Sequence, residues 1–217
     1  MLFLPRRTRH RSPAHRRRVA TSPLLVTLTA ALVLLSGCAA QPSGLSSLQT
    51  AGTKAYTSAD DTIAEIPPAK RDGSVRFGGP LDTGGKADSS AWLGSVVVVN
   101  FWYAACPPCR AEARDLQALH TQFAKEGVQF IGVNVRDTAG TAAAFEKEFG
   151  ITYPSILDAN AGNVQYAFAG KAAPNAVPTT IVLDRQGRMA SRILGRLPSR
   201  DTLAALIQTA LSEQANR

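Results

Sequence analysis

Four consecutive valines followed by N-F-W occupy residues 96–102, and the chain then passes through Tyr103, Ala104 and Ala105 into C-P-P-C at 106–109. A β-branched run of this length, without polar alternation, fits a strand covered on both faces, so the chain must supply layers above and below a sheet. Pro107 and Pro108 carry no backbone N–H and are tolerated only in the first turn of a helix. A helix therefore starts at the first cysteine. Leu116, Leu119 and Phe123 recur at spacings of three and four, which gives that helix one apolar face and an end near Gly127.

The remaining elements follow from pattern and punctuation. Residues 75–77 read as a first strand, and the glycines and Asp leading to Ser90 as a hairpin or loop. Residues 128–135 are a second buried strand, 141–149 a helix closed by Gly150, and 153–157 a short strand. Residues 179–183 form a third buried strand, which turns over 184–188 and returns as an antiparallel strand over 189–194. Ser199 is a natural N-cap for a last helix that places Leu203, Leu206, Ile207, Ala210 and Leu211 on one face. The order β-α-β-α-β, hairpin, helix predicts an α/β fold with a central mixed sheet flanked by helices.

Charge and cysteine count bear on what precedes this domain. The formal net charge of +8 is concentrated at the start, where residues 1–37 hold seven arginines and no acidic residue. The rest of the chain has 17 basic against 16 acidic residues, so no nucleic-acid partner is implied. The arginines precede a twelve-residue apolar run at 24–35, too short for the ~20 residues of a spanning helix and fitting a signal-peptide core. Leu35-Ser36-Gly37-Cys38 directly after it resembles a bacterial lipobox, which would make residues 1–37 a lipoprotein signal peptide and Cys38 the site of lipid attachment. Arg6-Arg7 lacks the apolar residue that a twin-arginine signal expects. Residues 38–73, rich in Ser, Thr, Ala, Gly and Pro with no sustained apolar period, read as a flexible tether, leaving 74–217 as the folded domain. With Cys38 on the membrane, Cys106 and Cys109 form a self-contained pair.

Two cysteines two residues apart bind metal, attach haem or exchange disulfides. Structural zinc needs four ligands, and outside the leader the chain offers only His120 and no second cysteine pair. Haem attachment needs a histidine after the second cysteine, where Arg110 stands. A purely structural disulfide would close a loop too small to remove much unfolded-state entropy. Redox work is left, with no metal and no cofactor expected. At a helix N-terminus, free N–H groups and the helix dipole favour the thiolate of Cys106, the expected exposed nucleophile; Cys109, one turn in and more buried, is the expected resolving thiol. The two prolines remove two N–H donors, so the depression of the Cys106 pKa is expected to be modest, favouring a reductant.

The stretch V-V-V-V-N-F-W-Y-A-A-C-P-P-C-R-A-E at 96–112 resembles the active-site segment of the TlpA/ResA-like branch of the thioredoxin superfamily. V-P-T-T at 177–180 resembles that family's cis-proline loop, and 141–157 the helix–strand insertion that separates the branch from plain thioredoxin. The resemblance implies a thioredoxin-like fold, a redox pair at Cys106 and Cys109, and a cis bond between Val177 and Pro178 that helps to hold an extended substrate. It also implies an acidic residue at Glu112 that tunes the cysteines; bare sequence equally fits a solvated carboxylate on a helix face. Trp102 and Tyr103 are candidate substrate contacts, although a tryptophan at position 102 also reads as core packing. Asn100 stands where thioredoxin has a buried aspartate, which passes any proton transfer to Glu112 or water. Ala105 replaces a tryptophan lid.

The expected protein is a monomeric, extracytoplasmic, lipid-anchored thiol–disulfide oxidoreductase. The family implies that it reduces disulfides of exported proteins, among them apocytochromes c, with electrons from a membrane thiol donor. A disulfide-forming oxidase uses the same residues in reverse, and a copper-binding module of the same fold would use the thiolates as ligands. Nothing in the chain resembles a peroxidatic cysteine with its Thr and Arg, and a non-catalytic scaffold would trap no mixed disulfides.

Overall fold

A computed structural model describes residues 56–213. The expected signal peptide, Cys38 and residues 38–55 of the expected tether lie outside the described residues. A seven-stranded sheet organises the rest, in the order β1 (Tyr56–Thr57), β2 (Ile63–Glu65), β9 (Met189–Leu194), β8 (Thr179–Leu183), β5 (Val97–Trp102), β6 (Gln129–Asn134) and β7 (Ser155–Leu157). Strands β5, β6 and β7 run parallel, whereas β8 is antiparallel to both β5 and β9. The sheet is therefore mixed. A separate hairpin pairs β3 (Gly78–Pro80) with β4 (Lys86–Asp88). Four helices are described: α1 (Pro107–Phe123), α2 (Ala139–Phe149), α3 (Asn163–Phe168) and α4 (Arg200–Ser212).

The valine run behaves as its composition requires. All six residues of β5 are buried, and successive side chains enter opposite layers. Val96 and Val98 pack with Leu116, Leu119 and Phe123 of α1 and with Leu203, Leu206 and Ile207 of α4. Val97, Val99 and Phe101 pack with Ile131, Ile156, Ile181 and Phe168 of α3 on the other face. The helix boundaries have the chemistry that the sequence signals. Ser199 Oγ accepts from Thr202 N–H at 3.1 Å, and Gly150 ends α2 in the left-handed region at φ 70°.

Three sequence expectations need correction. The folded domain does not begin at residue 74, because β1 and β2 add to the edge of the sheet, with Ile63 in register with Ile193. Arg71 is buried in ion pairs with Asp184 and Glu213, so the part of the expected tether from Tyr56 onward belongs to the fold. Short edge strands held by backbone pairing and a buried charge leave no hydrophobic period to detect. Residues 75–77 are not a strand; Val75 and Phe77 are buried anchors, held by Val75 N–H to Gly187 O and Phe77 N–H to Ser89 Oγ. Helix α3 was not expected. Its Gly162 N-cap has no capping side chain, and Asp158, four residues earlier, accepts from Val164 and Gln165 N–H instead.

Candidate redox site

The end of β5 delivers Trp102, three residues turn the chain, and Cys106 becomes the N-cap of α1. Its sulfur accepts the Cys109 N–H at 3.2 Å, and with proline at the two positions between them no other N–H of that turn is available. Cys106 and Cys109 are joined as a disulfide, with Cα atoms 5.3 Å apart. The loop before them is held from the side. Asp137 accepts from Ala104 N–H at 2.6 Å, Arg110 donates to Ala104 O, and the Arg136 guanidinium lies 4.2 Å over the Tyr103 ring. Facing the pair is the cis Val177–Pro178 bond, whose Val177 carbonyl oxygen lies 4.0 Å from Cys106 Sγ. The chain-distant motifs 106–109 and 177–180 are thus brought together by the β5–β8 pairing, in which Phe101 is in register with Thr179.

The expected order of exposure is not observed. Cys106 is 1% exposed and Cys109 2% exposed, so in the disulfide form neither sulfur is the open one. Tyr103, Ala104 and Val177 pack against the buried cluster that contains both cysteines. Of the two readings of Trp102, substrate contact and core packing, the structure shows packing. Trp102 is 4% exposed, its ring packs on Phe145 at 4.4 Å between centroids, and its Nε1–H donates to Ser155 Oγ at 3.2 Å. Tyr103 and Val177 are half-buried and flank the cysteines, and Pro178 is buried with its carbonyl accepting Gly195 N–H.

Glu112 is 1% exposed, which excludes a solvated helix-face carboxylate. It lies three residues after Cys109, on the same side of α1. Oε1 accepts from Asn100 Nδ2 at 3.0 Å and Oε2 from Leu197 N–H at 2.9 Å. Burial pushes its pKa up to about 7, against the opposing effect of those two hydrogen bonds and of Arg196. Asn100 also donates to Thr180 Oγ1 at 3.0 Å, so the residue that replaces a buried acid serves to hold one.

Sequence reasoning missed a second acid. Glu146 on α2 accepts from Ser155 Oγ at 2.8 Å, beside Asp82, which accepts from Ser155 N–H at 2.8 Å. Burial, then the Asp82 carboxylate, pushes the Glu146 pKa up to about 8. The available signal was its place four residues after buried Ala142 and next to Phe145, on a face otherwise apolar. Glu146 lines an internal cavity together with Cys109, Asn100, Trp102, Tyr153 and Ser155. The space holds about one water molecule.

Residues 73–192, more than half of the chain, match the AhpC/TSA family. The chain belongs to this thioredoxin-like family. Among its relatives is thiol-disulfide oxidoreductase ResA of Geobacillus kaustophilus, 30% identical over 117 residues, which are 52% of this chain and 62% of that protein. Thiol:disulfide interchange protein HelX of Rhodobacter capsulatus is 36% identical over 123 residues, 57% of this chain and 65% of its own length. The chain thus spans under two thirds of the length of these curated relatives. A crystal structure of a secreted thiol-disulfide isomerase from Corynebacterium glutamicum superposes with a TM-score of 0.64 at 30% identity, covering 71% of this chain and 95% of that one. The AhpC/TSA match takes in the cysteine pair, the cis-proline loop, Glu112 and Glu146.

Proposed function

We propose that the chain is a thiol–disulfide oxidoreductase that reduces disulfides of exported proteins through Cys106 and Cys109. The observation that carries the reading is the disulfide at the first turn of α1, opposite a cis X-Pro loop and backed by the buried acid Glu112. A relative named ResA and a neighbour described as a secreted thiol-disulfide isomerase support the same chemistry.

In the reducing direction, the Cys106 thiolate attacks one client sulfur. The client disulfide breaks, a Cys106–client bond forms, and the other client sulfur leaves as a thiolate. Cys109 then gives up its proton, attacks Cys106 Sγ and expels the second client sulfur. The client has gained two electrons, and Cys106–Cys109 is a disulfide. Glu112, close to half-ionised at neutrality and three residues after Cys109 on the same helix, is the buried carboxylate that receives this proton. Backbone groups of the cis Val177–Pro178 loop hold an extended client segment, and Tyr103 flanks it. A dithiol donor at the membrane restores the reduced form.

Reduction rather than oxidation is favoured by the Pro107-Pro108 pair, which leaves the Cys109 N–H as the backbone donor on Cys106 Sγ. One donor stabilises a thiolate less than several would, so the reduced form is not strongly favoured. The lipobox-like Cys38 anchors the protein outside the cytoplasm, where apocytochromes c are candidate clients. Titration against glutathione or a dithiol tests direction. A potential near about −270 mV supports a reductant, and one near about −120 mV an oxidase. The Cys109→Ala variant stalls the exchange on Cys106 and names the clients; a variant that traps none refutes the catalytic reading.

A further inference from the structure

The cavity behind Cys109 brings together groups that the exchange steps above do not use. Its walls carry Cys109 from α1, Glu146 from α2, and Ser155 and Tyr153 from the segment entering β7. Ser155 is fully buried and joins two elements of this wall, accepting from Trp102 Nε1 and donating to Glu146 Oε1. Glu112 is not on the cavity wall, and each of its oxygens already accepts a hydrogen bond. Asp82, on the hairpin side of Glu146, is half-exposed like Glu146 itself, so the acid reaches solvent on that side. Tyr153 is the remaining titratable neighbour, and among the described residues no Lys or Arg pairs with Glu146.

We propose that Glu146 is the proton donor to Cys109 when a thiol opens the disulfide, acting through one water in the cavity. The inference rests on Cys106 and Cys109 being the exchanging pair. A donor thiolate attacks Cys106 Sγ and forms a donor–Cys106 disulfide. The Cys106–Cys109 bond breaks and its electron pair goes to Cys109 Sγ. That sulfur takes a proton from the cavity water, which takes one from the Glu146 carboxyl. Solvent reprotonates Glu146 along the Asp82 side, and the donor's second thiol, from the same dithiol, completes the two-electron reduction.

Both acids have pKa values raised by burial, and Glu146 is the one that shares the cavity wall with Cys109. Glu112, near half-ionised at neutral pH, can receive a proton as Cys109 attacks. Burial and the Asp82 carboxylate favour the protonated form of Glu146, which can supply a proton as Cys109 leaves. Without a donor, the leaving sulfur would be a thiolate in a nearly closed apolar space, which burial disfavours.

The oxidised full chain is mixed with dithiothreitol in a stopped-flow cell, between about pH 6 and about pH 9, following tryptophan fluorescence. Rates are divided by the fraction of dithiothreitol present as thiolate. The wild-type rate should fall by roughly tenfold or more as Glu146 loses its proton, within the range of general acid catalysis. Glu146→Gln should sit at the low level throughout and show no such fall. A Glu146→Gln variant with the wild-type rate and profile overturns the assignment and leaves the Cys106–Cys109 reading standing. A wild type that dithiothreitol does not reduce overturns both. Should Glu146→Gln fail to fold, the Glu146 carboxyl carbon is titrated by NMR in the wild type, as disulfide and as dithiol. A midpoint that moves with the redox state supports the coupling, and identical midpoints overturn it.

Discussion

Replacing Glu112 by Gln should make the oxidised protein more stable at neutral and alkaline pH, although it removes a charge that accepts two hydrogen bonds. The carboxyl titrates at about 7 in the fold against 4.5 for its ordinary value. A group whose folded pKa is raised contributes stability that is fully present below the unfolded pKa and is lost as pH rises through the folded pKa. The window here is therefore about 4.5 to 7, and the full loss is about 3 kcal/mol at ~1.4 kcal/mol per unit. The amide of Glu112→Gln has the same shape, still accepts the Leu197 N–H, and never ionises. At about pH 4 the two proteins should have similar stability. At about pH 8 the variant should be the more stable by roughly 2–3 kcal/mol, after allowing for the weaker neutral hydrogen bonds. Urea unfolding with the disulfide intact measures both. Equal stability differences at the two pH values would refute the picture of Glu112 as a buried acid held against its solvation, and with it the proton step assigned to it. Glu146 titrates higher, so its own loss of stability extends to about 8 and should survive in the variant.

Two further substitutions probe parts of the fold that support the site. A Cβ on Gly132 would lie 2.8 Å from Trp102 Nε1 and closer still to Ser155 Oγ, both buried side chains. Gly132→Ala should cost about 2–4 kcal/mol in urea unfolding, from overpacking and the strained Trp102–Ser155 bond, and should change tryptophan fluorescence. A loss below about 0.5 kcal/mol would mean that the wall yields. Arg71→Ala leaves Asp184 without one of its cationic partners in a buried site and should cost about 3–5 kcal/mol. Near-neutral stability would detach residues 56–71 from the folding unit.

The layered α/β fold and the position of the redox pair were legible because their signals are local. A four-valine run leaves no exposed face, two prolines can enter a helix only at its first turn, and Ser199 and Gly150 mark helix ends by their own chemistry. The pairing of C-P-P-C with V-P-T-T came from family resemblance, and the β5–β8 register shows how the backbone brings them together. Burial of individual side chains was not legible. Cys106 was expected at an open lip, yet it lies in a buried cluster against which Val177, Tyr103 and Ala104 pack. Trp102 was open to either substrate contact or core packing, and α2 brings Phe145 onto its ring.

What the sequence alone determined is the chemistry available: two sulfurs at the start of a helix that follows a buried strand, with His120 as the one histidine after the leader, no further cysteine pair for zinc, and Arg110 where haem attachment needs a histidine. Only the tertiary structure decided the surroundings of the acids near those sulfurs. Glu112 and Glu146 are ordinary helix carboxylates in the sequence, and their titration depends on solvent exclusion by segments far away in the chain. Asn100 and Leu197 close around one, and Ser155 and Asp82 around the other. A pKa is set by everything within a few ångströms, and that neighbourhood exists only once the chain has folded.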